Sequence, residues 1–417
     1  MPLIKPFAGL RPAPGRAAEV AAPPYDVMSA AEARAMVAGR PWSFLHISRP
    51  EVDLPEGVDP YAPEVYAKAR ENLDRMLAEG VLVRDPAPHY YCYRLTMGEH
   101  SQTGLVAAAS VAAYDADRIK RHELTRPVKE DDRVRQIDAL NAQTGPVFLV
   151  YRAQAAIDDV LARVSTAAPD VDITAADGVR HELWVISDQA RVDALSAAFD
   201  ALDALYVADG HHRSAAASRV AAARRSATPD VTPEVIEDES YEYFLSVIFP
   251  HDQMRIMAYN RVARDLHGNT PEQFIEHLSV PFAIEGGVGA VSPERPAEFG
   301  MYLGGHWYRL DLDHERIPFD DPVGRLDVSL LQDNLIEPLL GIVDPRRDDR
   351  IDFVGGIRGP GALSARVDSG EMAVAFSLFP TRMDDLMAVA DAGEMMPPKS
   401  TWFEPKLADG LVSHVLD

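Results

Sequence analysis

A single cysteine, Cys92, in 417 residues rules out an intrachain disulfide and any zinc or iron–sulfur site built on cysteine. No stretch approaches the ~20 apolar residues that span a bilayer. The opening MPLIKPFAGLRP lacks the apolar core of a signal peptide, so the expectation is a cytoplasmic protein with no membrane contact. Basic charge is scarce as well: 41 Lys and Arg stand against 65 Asp and Glu, a formal net charge of -24. That balance disfavours a nucleic-acid surface or an anionic membrane, yet leaves room for one small basic pocket. Neither G-x-x-x-x-G-K-[ST] nor G-x-G-x-x-G occurs, so the standard nucleotide fingerprints give no support. No period marks a repeat array.

What is present is a chain able to bury a sizeable core, with 47% hydrophobic and 25% charged residues. At ~150 residues per domain, two or three lobes are expected. Strand and helix patterns alternate, which predicts an α/β chain with α+β mixed sheets. The expected lobes are 1–115, then 116–265 with the motifs HELTRP and DGHHR, then 266–417 ending in MPPKST. Ser29 as N-cap with Glu32 three residues on predicts a helix closed by Gly39. Trp42–Ser48 reads as a strand with His46 as a half-buried strand histidine. Helices are expected at Pro63–Glu79, Lys129–Leu140 and Val328–Leu340. Tyr90–Thr96 and Thr103–Tyr114 read as a hairpin whose loop exceeds two residues. Ser226–Ser240, acidic and with two prolines, reads as a mobile insertion.

The stretch around which the chain is organised is Leu205–Val220, LYVADGHHRSAAASRV. Leu205–Val207 reads as a strand, Asp209 and Gly210 as a tight turn, and Ser214 onward as an Ala-rich helix. Strand, glycine turn and helix start gather free N–H groups and the positive end of the helix dipole, which suits phosphate. His211, His212 and Arg213 stand at that mouth, and Arg is well shaped to clamp phosphate oxygens. The competing reading is an Asx-type turn with surface histidines.

Three further segments offer chemistry. In AAPPYDV two prolines stiffen the backbone and present Tyr25 and Asp26, either as a rigid connection or as the edge of a pocket. IKRHELTRPVKEDDRVR is a charge run, ordinarily a solvated helix face. It also sets His122, the potential base Glu123 and the cation Arg126 within five residues, in a loop before a helix. Asn141 and Thr144 in the following NAQTG turn are ligand candidates or merely close the turn. Finally, MPPKSTWFEPKL presents Lys399, Ser400, Thr401 and Lys406 on stiff backbone, which suits an anion; the alternative is an extension packed through Trp402 and Phe403.

Taken in order, AAPPYDV, KRHELTRPVKEDDR, DGHHR, IDFVGG and MPPKSTWFEPKL resemble a large prokaryotic family known as domain of unknown function one thousand and fifteen. That family is similar to the ParB/sulfiredoxin group of nucleotide-binding folds, which includes a free-serine kinase using ADP or ATP. The resemblance implies a ParB/sulfiredoxin-like nucleotide-binding core with additional α/β lobes. It implies that Gly210, His211, His212 and Arg213 match a G-x-[HR]-R signature that grips phosphates. It further implies an upstream carboxylate as base, with Glu123 the first choice here and Asp26 the second. ParB-type DNA binding is disfavoured by the charge and by the lack of a basic recognition helix.

The expected activity is a nucleotide-dependent phosphotransferase on a small hydroxylated metabolite, free serine first. Arg213 and the turn amides would hold phosphate, and His211 or His212 would stabilise its developing charge. Asp209 would place Mg²⁺, which is usually held by one or two carboxylates. Arg126, Lys399, Ser400 and Thr401 would line donor or substrate, and Tyr25, Asp26, His122, Asn141 and Thr144 the substrate pocket. ATP or ADP is the expected donor, and a homodimer is compatible with the sequence. The alternatives are a nucleotide-binding regulator that hydrolyses slowly and acts through a protein partner, and a metal-dependent hydrolase using Asp209, His211 and His212.

Overall fold

The computed structural model describes residues 2–227 and 238–417. Of the expected insertion at Ser226–Ser240, residues 228–237 lie outside the described residues. The chain divides into two compact units, Met1–Met254 with Pro405–Asp417, and Arg255–Glu404.

The first unit is built on a nine-stranded sheet. Its strands are β1 (Ile4–Lys5), β2 (Tyr90–Met97), β3 (His100–Ser110), β4 (Ile119–Lys120), β5 (Val147–Tyr151), β6 (Val171–Thr174), β7 (Arg180–Ile186), β8 (Leu205–Asp209) and β9 (Tyr243–Pro250). They lie in the order β4-β8-β5-β9-β3-β2-β7-β6, with β1 beside β3. β8 runs parallel to β4 and β9 parallel to β5, whereas the other pairings are antiparallel, so the sheet is mixed. VFLVY of β5 and YFLSVIFP of β9 are buried throughout, as unbroken apolar runs in a covered sheet should be.

Among the described residues, six longer helices accompany the sheet: α1 (Ala30–Val37), α2 (Pro63–Ala78), α3 (Pro127–Leu140), α4 (Ala155–Val164), α5 (Gln189–Asp200) and α6 (His211–Ala227). Ile157, Leu161, Leu195, Phe199, Ala217 and Val220 of α4, α5 and α6 join Leu105, Leu149 and Val207 in the main core. A second core beneath α2 and α3 gathers Phe44, Ile47, Leu73, Met76 and Leu140. The capping box of α1 forms as expected, Ser29 Oγ accepting from Glu32 N–H and the Glu32 carboxylate from Ser29 N–H.

Two local expectations change. Trp42–Ser48 forms no strand; Leu45–Ser48 is a helical turn, with Phe44, Leu45 and Ile47 all buried in the second core. His46 lies in that turn with Nδ1 2.9 Å from Asp53 Oδ1, a contact between residues seven apart that alternation of polar and apolar residues does not reveal. The hairpin closes in two residues, Gly98 and Glu99, because Met97 pairs with His100 and the polar Thr96 and Ser101 continue the ladder. Its second strand stops at Ser110, whose hydroxyl accepts from Ala113 N–H and starts the short helix Val111–Asp115.

The second unit carries a six-stranded antiparallel sheet: β10 (Tyr259–Ala263), β11 (Phe282–Val288), β12 (Glu298–Leu303), β13 (His306–Leu312), β14 (Ile351–Gly355) and β15 (Val374–Leu378), in the order β11-β13-β12-β15-β10-β14. The helix expected at Val328–Leu340 is interrupted by a π-helical stretch, Gln332–Ile336. Pro338 lies just beyond it and supplies no N–H, and a lost donor of that kind distorts the ladder.

The division of the chain departs from three consecutive lobes. Residues 115 and 116 fall between β3 and β4 of one sheet, because β8 and β9 return to pair with strands made before that point. The second join falls at Met254, eleven residues before 265, and the final thirteen residues rejoin the first unit.

Candidate functional site

The site is built at the end of β8. Between Val207 and Asp209 the register against β5 shifts by a bulge, a device that re-aims a side chain. Gly210 follows at φ 98°, a left-handed conformation that glycine adopts without strain. A Cβ there would stand 3.0 Å from Arg213 Nε, so the turn also needs glycine for space. α6 then starts at His211, with Gly210 O accepting from Arg213 N–H at 2.8 Å and Ser214 N–H at 3.0 Å.

Arg213 folds back from this first turn. Its Nη1 donates to the carbonyl of Pro146, and its Nη2 lies 3.7 Å from Asp209 Oδ1. Among the described residues its Nε is buried without a hydrogen-bond partner. Burial by itself would raise the Asp209 carboxyl, but Lys406, with Nζ 3.2 Å from Oδ2, and Arg213 reverse this and hold it below the usual carboxylate range.

Beside Arg213 lies a small chamber of about 30 Å³ lined by Tyr25, Arg133, Thr144, Gly145 and Asp409 among others. Arg133 stacks its guanidinium 3.9 Å from the Tyr25 ring centre and donates twice to Asp132, which also accepts from the Tyr66 hydroxyl. Arg49 donates to the carbonyls of Tyr25 and Met28 and fixes the AAPPYDV loop. Asp409 is tied to that loop through paired backbone bonds with Ala22, at 2.9 and 3.1 Å. It is 2% exposed, and burial pushes its carboxyl up to about 7 against the pull of Arg213 and Arg133, with Asp26 adding to the rise. Burial likewise pushes the Tyr25 hydroxyl up to about 12.

The imidazoles divide into two sets. His211 is buried, not at the surface, and its ring meets that of His122 edge to face at 4.5 Å. A carboxylate oxygen of Glu123 joins ring nitrogens of these two, all within 4.8 Å of one another. Burial lowers His122 to about 4 and His211 well below its ordinary value, so both rings are neutral at pH 7. His212 turns the other way: its Nε2 accepts from Arg126 N–H at 3.0 Å, at the N-cap of α3, which leaves the remaining ring proton on Nδ1. Burial lowers His212 too, followed by the charge of Arg126.

The structure therefore brings Tyr25, Thr144 and Arg213 to one chamber, with Asp209 and Gly210 next to it and the charge of Asp26 acting on Arg213, Asp409 and His212. Glu123 and His122 gather on His211. Arg126 reaches His212 through its backbone, while the residue is exposed. Asn141 is a structural cap, not a chamber residue: it takes φ 49° at the end of α3, donates to Leu416 O and accepts from Arg224. Lys399, Ser400 and Thr401 belong to the second unit, where Lys399 O accepts from Arg261 and Ser400 Oγ donates to Pro397 O. Two chamber residues, Arg133 and Asp409, are missing from the sequence-based site, and Lys406, read there as a cation for an anion, pairs with Asp209 instead. Arg133 is one of the charges of IKRHELTRPVKEDDRVR, a run that reads as a solvated helix face. Asp409 precedes Gly410, at φ 86°, in one of three Asp-Gly pairs, with Asp177-Gly178 and Asp209-Gly210, so the dipeptide by itself does not single it out.

A family model described as protein of unknown function, DUF1015, matches residues 4–329. No curated relative matches the chain. Among solved structures, a variant of a free serine kinase in complex with AMP is similar at 13% identity and a TM-score of 0.35, over 72% of this chain and 86% of that one. SbnI with a C-terminal truncation, from Staphylococcus aureus, is similar at 12% identity and a TM-score of 0.37, over 74% and 86%. A conserved hypothetical protein from Pyrococcus furiosus is similar at 14% and 0.32, over 74% and 94%.

Proposed function

The chain belongs to the DUF1015 family, and from that premise we propose that it is a nucleotide-dependent phosphotransferase acting on a small hydroxylated metabolite, with free serine as the first substrate to test. The observation that supports this reading is the pair of largely buried arginine side chains, Arg133 and Arg213, 13% and 10% exposed, on one chamber at a strand–glycine–helix turn. Two desolvated guanidiniums and a helix N-terminus favour a multiply charged anion over a neutral ligand.

Size limits how the anion docks. A chamber of about 30 Å³ holds roughly one water, so a phosphoryl group meets the guanidinium edges only after one wall yields. Arg213 binds phosphate oxygens through its unpartnered Nε, and the first amides of α6 complete the cradle. Asp209, held ionised by Lys406, is the carboxylate fit to hold Mg²⁺, whose part is to neutralise phosphate charge. Asp409 is tuned near neutrality and Asp26 is its neighbour in charge, so this pair suits the transfer of the substrate's hydroxyl proton better than Glu123 does.

The test is a thermal-shift series of the full chain with Mg²⁺ and ATP, ADP, GTP, CTP or pyrophosphate, repeated with Arg213→Lys. The conservative variant is needed because Arg213→Ala would also lose the bond to Pro146. At least one nucleotide should raise the melting temperature, and the rise should shrink in the variant. Serine-dependent release of ADP or AMP then separates an enzyme from a nucleotide-binding regulator. No shift with any nucleotide would sink the reading.

A further inference from the structure

We infer that His122, His211 and Glu123 form a binding site for a divalent transition metal of the zinc or cobalt type, separate from the phosphate chamber. The proposal goes beyond the phosphotransferase reading and does not depend on it. His122 lies just after β4 and His211 opens α6, which follows the neighbouring strand β8, so the two imidazoles meet at one point. The residues are 1% and 4% exposed. Among the described residues, Nδ1 and Nε2 of His122 and Nε2 of His211 are buried with no well-formed hydrogen bond, the one backbone group that acts on His122 as a partner being that of Val207.

Buried polar atoms in folded proteins nearly always find partners, and with the Val207 backbone left to one nitrogen of His122, one nitrogen on each ring still calls for an explanation. A metal ion supplies it, since neutral imidazole nitrogen is the commonest protein ligand for such ions. Two nitrogens and one carboxylate oxygen make a borderline donor set that suits Zn²⁺ or Co²⁺, whereas Mg²⁺ and Ca²⁺ prefer oxygen throughout.

Geometry permits the site with little movement. The candidate atoms lie within 4.8 Å of one another, and ligands sharing an ion at about 2.0–2.2 Å lie up to about 4 Å apart. Closure thus draws the side chains inward by about an ångström or less. The charge of Asp209 acts on both rings and favours a cation between them, against the opposing charge of Arg121 on His211. His212 is not a ligand here, because its Nε2 already accepts from Arg126 N–H.

The experiment uses the full chain, stripped with a chelator and titrated with Co²⁺ while the visible ligand-field bands are followed. One Co²⁺ per chain should bind with an intense spectrum of low coordination number, and Zn²⁺ should displace it while Mg²⁺ should not. His122→Gln, His211→Gln and Glu123→Gln should each weaken binding by more than about 100-fold, since even outer partners of metal ligands are worth 10–100-fold. His212→Gln should retain the spectrum. Circular dichroism of each stripped variant checks that it is folded, and Glu123, the most exposed of the three, gives a variant that tests the site even where a histidine change disturbs the core. A featureless Co²⁺ titration of the parent chain, or an unchanged spectrum in Glu123→Gln and both histidine variants, overturns the proposal. Neither result bears on nucleotide binding at Arg213, so the two readings fail separately.

Discussion

Replacing Asp409 by Asn tests whether this carboxyl is held neutral by its surroundings. The side chain is 2% exposed, and among the described residues it makes no direct ion pair with Arg213 or Arg133, so burial outweighs their attraction and lifts the carboxyl to about 7. Its ordinary value is 3.8. The folded state therefore holds one more proton than the unfolded state between about pH 4 and about pH 7. Stability associated with this group is fully present below pH ~4, is lost as the pH rises through that window, and is constant above pH ~7. A rise of about three units corresponds to ~4 kcal/mol at about 1.4 kcal/mol per unit. Asn keeps an acceptor for the Tyr25 backbone but has no proton to lose. At pH 8 Asp409→Asn should be more stable than the parent by about 2–4 kcal/mol, with the gap closing towards pH 4. Urea unfolding across that range measures it. Because two units need not unfold together, Trp307 and Trp402 are replaced by Phe, so that Trp42 and Trp184 report the first unit alone. A variant less stable than the parent at pH 8, with a gap that stays constant down to about pH 4 and closes only below it, would show Asp409 ionised and paired, and the argument from burial would be wrong.

Two further predictions concern the turn itself. Gly210→Ala forces a Cβ at φ 98° to within 3.0 Å of Arg213 Nε, which should cost about 1–3 kcal/mol, read by denaturant unfolding, and should weaken any nucleotide-induced thermal shift more than it lowers the melting temperature. Lys406→Met removes the nearest cation from Asp209. Exposed pairs contribute up to ~1 kcal/mol and broken buried pairs cost ~3–5, and these side chains are 22% and 34% exposed, so a loss of about 1–2 kcal/mol at pH 7 is expected. Asp209 is depressed in the fold, so that loss should persist at and above the ordinary carboxylate range and fade only as the pH falls below it. A double-mutant cycle with Asp209→Asn should return a coupling of the same size, and a coupling near zero would refute the pairing.

The sequence by itself determined the local chemistry. Ser29 with Glu32 specifies the start of α1, the apolar runs VFLVY and YFLSVIFP specify buried strands, and Asp209-Gly210 between a strand and an Ala-rich segment specifies the turn that opens α6. These are contacts between near neighbours, or periodicities that a short window contains. DGHHR was legible as a turn, though its histidines are not alike: His211 is buried against His122 and His212 is held by Arg126. Tertiary structure alone decided that difference, because adjacent residues at a helix start point to different elements.

The same holds for the partners of the site. Asp409 and Lys406 are about 200 residues from Asp209 and Arg213 in the chain, and they meet only because the final segment returns to the first unit and pairs with Ala22. Trp42–Ser48 failed as a strand for a related reason: its apolar residues suit either structure, and the second core and the His46–Asp53 contact select the helical turn. Propensity and spacing constrain what a residue can do locally. Which charges share a desolvated chamber, and hence which carboxyl is kept near neutrality, depends on pairings across the sheet that no local pattern encodes.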